Sequence, residues 1–160
     1  MNPKELLHRI QVQNLQRRHK IYRKPVAEFC DAVLRSLNRP GQGLSVVFIG
    51  ARKMRSMNRK YLQRDYETDV LSFSYKGTMM DEREFLGEIL ISPEVAFHNA
   101  MRFNSSPEKE IRKLLVHGIL HLLGYDHETD RGQMNRFQAR LLHKKFFSNM
   151  SSLGDFRANS

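Results

Sequence analysis

Eleven consecutive residues hold the densest potential for chemistry: His117-Gly118-Ile119-Leu120-His121-Leu122-Leu123-Gly124-Tyr125-Asp126-His127. His117 and His121 are four apart, so on a helix they lie one above the other on one face. Gly124 can take the left-handed conformation that ends a helix and turns the chain. That turn can bring His127 back towards the other two. Three imidazoles converging on a point, with a fourth position open for water or substrate, make a catalytic zinc site. The spacing matches the zincin pattern H-E-x-x-H-x-x-G-x-x-H at every ligand and at the turn glycine. The glutamate that serves a metalloprotease as general base is replaced by Gly118. A single histidine on such a helix would read as an ordinary core or surface residue. The joint pattern reads as a metal site lacking a peptidase's base. Zinc is the expected ion, although three imidazoles also suit nickel, copper or iron.

The elements that must position these residues follow from periodicity and turn chemistry. Alternation over residues 8–14 predicts a half-buried strand. A helix follows from Pro25, with Val26, Phe29, Val33, Leu34 and Leu37 on one face, and Asn38-Arg39-Pro40-Gly41 ends it. Residues 44–49 form a β-branched strand, and 51–62 a helix rich in Arg and Lys. Strands are predicted at 69–75 and 85–91, with a polar loop at 77–84 between them. Ser92-Pro93-Glu94 and Ser106-Pro107-Glu108 each start a helix by capping. The second of these is the most apolar in the chain and carries His117 and His121, so it is predicted to be central and buried, with its histidine face turned to a cleft. Residues 130–147 form a last amphipathic helix. The predicted fold is α+β: one mixed sheet of about four strands packed with about five helices, the metal site at the end of the central helix. Residues 1–147 are read as one metal-dependent hydrolase domain, and 148–160 as a frayed tail.

Composition narrows the function classes. A chain of 160 residues is long enough for a full core. No apolar run approaches the ~20 residues needed to span a bilayer, and residues 1–24 lack the apolar core of a signal peptide. The single cysteine, Cys30, excludes an internal disulfide framework. It suits a reducing, cytoplasmic setting and a core position. The net charge of +10, from 27 Lys and Arg against 17 Asp and Glu, favours polyanionic partners, nucleic acid above all. Phosphodiester cleavage needs a metal, positive charge for the phosphates and room for the strand. Arg52, Lys53, Arg55, Arg59 and Lys60 could supply the last two if their helix lines the cleft. Asp126 is a candidate to orient an imidazole. Asp69, Glu88, Thr68 and Ser72 are candidate helpers in the cleft, or ordinary strand-end polar residues. His98 has no spacing partner, and His8, His19 and His143 are expected to be solvated.

Three blocks make the sequence resemble the YbeY-type endoribonucleases, bacterial ribosomal RNA maturation factors. They are the histidine block 117–127, the run Thr68-Asp69-Val70-Leu71-Ser72-Phe73 preceded by Met57-Asn58 and Tyr61, and Leu86-Gly87-Glu88-Ile89-Leu90-Ile91-Ser92. The resemblance implies a metal-dependent hydrolase, usually taken to bind one zinc, that cleaves single-stranded RNA. It would act in small-subunit ribosomal RNA maturation and ribosome quality control, with ribosomal RNA and ribosomal particles as partners. It implies no membrane partner and no small-molecule cofactor. His117, His121 and His127 would be the metal ligands, and His117 part of the catalytic site. The sequence also departs from the family pattern. Leu62 follows Tyr61 where the family commonly has Arg, which makes Arg59 and Arg64 the candidate catalytic cations here. Glu67 and Ser74 replace prolines, and Asn135 and Gln138 stand where the family tends to have acids. Two rival readings remain: a peptidase, against which Gly118 argues, and a non-catalytic ribosome-assembly or RNA-binding factor with a structural metal. A structural zinc normally has four protein ligands, and the pattern supplies three.

Overall fold

Val46, Val47 and Phe48 lie in a strand flanked on both sides, which is why the run is apolar throughout rather than alternating. The computed structural model describes residues 2–79, 81, 84–126 and 129–157. In chain order the elements are α1 (Pro3–Arg9), β1 (Ile10–Asn14), β2 (Lys20–Ile21), α2 (Arg23–Ser36), β3 (Gly43–Phe48), α3 (Ala51–Leu62), β4 (Val70–Ser74), β5 (Phe85–Ile91), α4 (Pro93–Arg102), α5 (Pro107–Leu122), α6 (Gln133–Leu142), α7 (Lys145–Ser148) and β6 (Gly154–Asp155). The main sheet has the order β1-β3-β5-β4. β1, β3 and β5 run parallel, and β4 runs antiparallel along the outer side of β5. This is the α+β arrangement with a mixed four-stranded sheet that the sequence predicts.

The two faces of the sheet are covered differently. Val46, Phe48, Ile89 and Ile91 belong to the large core, together with Phe29 and Val33 of α2, Ala96 of α4 and Ile111, Leu115 and Ile119 of α5. Alternation along the strands sends Val47, Ile49, Leu71 and Leu90 to the other face, where Met54 and Met57 of α3 cover them. Cys30 is fully buried in the large core, and burial pushes its thiol up to about 12, so it is the packing residue expected.

Most boundaries agree within two residues, and three differences from the sequence reading have a physical cause in the structure. The first strand starts at Ile10, because Asn2 accepts a hydrogen bond from Glu5 N (2.9 Å) and Pro3 opens a short helix that takes in His8 and Arg9. The last predicted helix is divided. Gly132 has φ 84°, and Asp130 accepts from Gly132 N (2.8 Å) and Met134 N (2.9 Å), so α6 starts only at Gln133. Lys144 is extended and separates α6 from α7. The segment expected to fray is largely docked. The Arg112 guanidinium donates to the carbonyls of Phe147, Met150 and Ser151, and the Glu108 carboxylate accepts from Leu153 N (2.9 Å). Leu153 is fully buried, and β6 pairs antiparallel with β2. The cause is a polar pair on the first turns of α5, at positions periodicity assigns to solvent, that satisfies the tail's backbone.

Leu153→Ala is expected to cost about 2–4 kcal/mol in urea unfolding, the usual loss for an emptied leucine site. A frayed tail would show no measurable change.

Candidate metal centre

Ser106 caps α5 by accepting from Lys109 N (3.1 Å), and Pro107 sits at its first position, so the helix starts where the sequence places it. Its buried face carries Ile111, Leu114, Leu115, Ile119 and Leu122. Gly118 belongs to that face. A Cβ on Gly118 would fall 2.9 Å from both Cδ1 and Cγ2 of Ile89 in β5, so the glycine lets the helix lie close on the sheet. Position 118 therefore points into the core. The peptidase glutamate has no room here, and its absence is a packing requirement rather than the loss of one group from a cleft.

The histidines flank this contact, His117 and His121 lying roughly 60–100° round the helix from Gly118. His117 is half-buried and His121 exposed, with ring centroids 6.2 Å apart and planes at 90°. His117 Nδ1 lies 3.2 Å from Oε1 of Gln138, a residue of α6 that is only 5% exposed. An amide oxygen can only accept, so this contact favours the tautomer with the proton on Nδ1. Gln138 is the residue sequence reasoning placed among the departures without giving it a role. Its signal was a polar side chain among Met134, Phe137 and Leu141 on the apolar face of the helix.

The end of α5 is a paired-carbonyl stop. Gly124 has φ 98°; its N–H donates to His121 O (3.0 Å), and Tyr125 N donates to Leu120 O (3.1 Å). These two bonds are the Schellman pattern, which needs a left-handed residue at Gly124. The Tyr125 ring then rests against Phe137 of α6, centroids 5.7 Å apart, and the chain turns back towards α6. His127 lies outside the described residues, as does its neighbour Glu128. Among the described residues no third His, Cys, Asp or Glu completes a metal-binding group with His117 and His121.

The other predicted site residues are distributed less closely. Arg59, and Arg64 just beyond the αL residue Gln63, belong to α3 and the turn after it. Since Met54 and Met57 of α3 cover the face of Leu71 and Leu90, this helix lies across the sheet from α5. The basic helix covers the sheet face opposite α5; Arg59 and Arg64 would have to meet a substrate that passes round the β4 edge. Tyr61 and Leu62, both about half exposed, mark that edge, and the Tyr61 ring packs edge-on against Phe73 (5.2 Å). Asn58 is buried and donates to Tyr66 O (3.0 Å), which ties the turn after α3 to the helix. Ser72 pairs with Ile89 and so shares the face of α5. Glu88 pairs with Phe73 on the α3 face, where burial pushes its carboxyl up. Asp69 is bound by Asn99 Nδ2 of α4 (3.3 Å). Neither acid stands with the histidines. His19, expected in solvent, is buried: it stacks on Phe97 (5.4 Å) and meets Phe156 (5.9 Å).

The chain matches the family model described as "Endoribonuclease YbeY" over residues 10–145. It is 41% identical over 107 residues to the Thermodesulfovibrio yellowstonii protein named Endoribonuclease YbeY, covering 67% of this chain and 66% of that one. It is 33% identical to the protein of the same name from Aquifex aeolicus, over 76% of this chain and 81% of the relative. A Thermotoga maritima protein solved in solution superposes with a TM-score of 0.58 at 26% identity, over 83% of this chain and 86% of that one. The chain belongs to the YbeY endoribonuclease family.

Gly118→Ala should destabilise the fold by roughly 1–3 kcal/mol, the cost of overpacking a filled core, as read by thermal or urea unfolding. Gly118→Glu should cost more and yield no peptidase activity. A stable Gly118→Glu protein would show that this position faces the cleft.

Proposed function

We propose that this chain is a metal-dependent endoribonuclease that cuts single-stranded stretches of ribosomal RNA on ribosomal particles, in small-subunit maturation and ribosome quality control. The observation that carries the reading is the pair His117 and His121, one turn apart on the outward face of a helix, with Gln138 fixing the first ring. The residues present fit a metal: two imidazoles lie one turn apart with ring centroids 6.2 Å apart, Gln138 holds Nδ1 of the first, and in the sequence the glycine turn is followed by His127. His117, His121 and His127 would hold one zinc ion. When bound, an imidazole-held zinc supplies Lewis acidity and activates water near neutral pH. The chain's own residues do the rest. Gln138 keeps His117 from rotating and from taking the other tautomer. Ser72, on the α5 face of the sheet, would donate a hydrogen bond to a phosphate oxygen. Arg59 and Arg64 neutralise the strand where it rounds the β4 edge, the role left open by Leu62.

Metal content and cleavage of a single-stranded RNA, measured on the same samples, test this reading. Wild type should carry one metal per chain and cut the RNA; His121→Ala should lose both. Cleavage retained without metal contradicts the mechanism. Metal and ribosome binding without cleavage would make the chain a non-catalytic assembly factor.

Gln138→Leu keeps the side-chain size but removes the acceptor. It should weaken zinc binding about 10–100-fold in a competition titration, the usual effect of losing a partner behind a ligand, with little change in unfolding midpoint.

A further inference from the structure

Residues 14–20 connect β1 to β2, and their conformation is tightly determined. The Gln16 side chain uses both ends: Nε2 donates to Asn14 Oδ1 (2.7 Å) and His19 O (2.6 Å), and Oε1 accepts from Arg18 N and His19 N (both 3.0 Å). Leu15 N donates to Phe48 O (2.8 Å). His19 is wedged between Phe97 of α4 and Phe156 of the tail, and burial holds its pKa below the ordinary value, so it anchors the loop as a neutral ring. Its Nδ1 is buried without a hydrogen-bond partner.

This anchored loop presents cations that are far apart in the sequence. Two adjoining shallow hollows share Gln16, Arg17 and Arg18. One is completed by Lys20, Asp155 and Arg157, brought there by the β2–β6 pairing; the other by Arg52 and Lys53 from the first turn of α3. The two acids present are already paired, Glu94 with Arg18 (3.1 Å) and Asp155 with Arg157 (2.9 Å). Arg17, Lys20, Arg52 and Lys53 are exposed, and none of them forms an ion pair among the described residues. A hydrogen-bonded loop that presents exposed cations loses little entropy on binding a polyanion, and each contact releases counterions.

The hollows lie at the C-terminal ends of β1 and β3, near Asn14 and Gly50. The histidine end of α5 lies towards the start of β5, where Leu122 sits over Gly87. At ~3.3 Å per residue along a strand and ~4.8 Å between strands, the two places are roughly 20 Å apart. We infer that the loop 14–20, with Arg52 and Lys53, is a second phosphate-backbone site that anchors an RNA strand remote from the histidines. The inference rests on the proposed ribonuclease function and deepens it: the enzyme holds its substrate at two places, and chain length governs affinity.

The test uses the triple variant Arg17→Ala/Arg52→Ala/Lys53→Ala of the full chain, checked for unchanged unfolding. Two unstructured RNAs are compared, one of about six nucleotides and one of about thirty, enough to reach both places. Expected is a loss of about tenfold in affinity for the long RNA, and a salt dependence shallower by ~2 in log–log slope, for three phosphate contacts at ~0.7 each. Binding and cleavage of the short RNA should be unchanged. Affinity for the long RNA within twofold of wild type overturns the inference, as does an equal loss on both RNAs or a wild type that binds no RNA. If neither protein cleaves RNA, the ribonuclease reading fails, while the length-dependent difference in binding still reports on the loop.

Discussion

The close seat of α5 on β5 is the contact on which the rest of the site depends. Gly118 against Ile89 sets the distance between helix and sheet and fixes the helix's rotation. With that rotation fixed, positions 111, 114, 115, 119 and 122 are buried and His117 and His121 emerge together. Packed interiors tolerate little extra volume, so one side chain at 118 would move the helix and both rings. The same contact gives Gly118 a meaning that comparison with peptidases obscures: the position is a packing position, with the two imidazoles on the flank of the buried face.

Around that seat, polar pairs over long sequence separations hold the parts in register. Gln138 on α6 reaches His117, and Glu108 and Arg112 on the first turns of α5 hold the C-terminal segment. One helix therefore orients a ring of the candidate site near its end and organises the tail near its start. The tail in turn carries Arg157 to the loop 14–20. Exposed cations gather at the far end of the sheet, in the loop 14–20 and the first turn of α3.

Much of this was legible locally. The caps at Ser92 and Ser106, the period of α5, the left-handed turn at Gly124 and the β-branched strands are written in neighbouring residues, and each formed where expected. What could not be read depends on what lies opposite. The packing role of Gly118 requires Ile89, the bond to His117 requires a residue 21 positions on, and the docking of Leu153 requires Glu108 45 positions back. The side of the sheet taken by α3 was equally hidden. The strand after it is antiparallel to β3, so the handedness rule for parallel crossovers gives no constraint. A cluster of Lys and Arg on a helix says that the helix is basic, and nothing about which face of the sheet it covers.

The proposed function requires α5 and its glycine turn to bring three imidazoles to one ion. X-ray absorption at the zinc edge of the purified full-length protein tests it most directly. Expected is stoichiometric zinc with three histidine nitrogens and one oxygen from water at ~2.0–2.1 Å, and two histidine nitrogens with weakened binding when His127 is replaced by Ala. A shell of four protein ligands, or a wild-type protein that holds no metal, would contradict it.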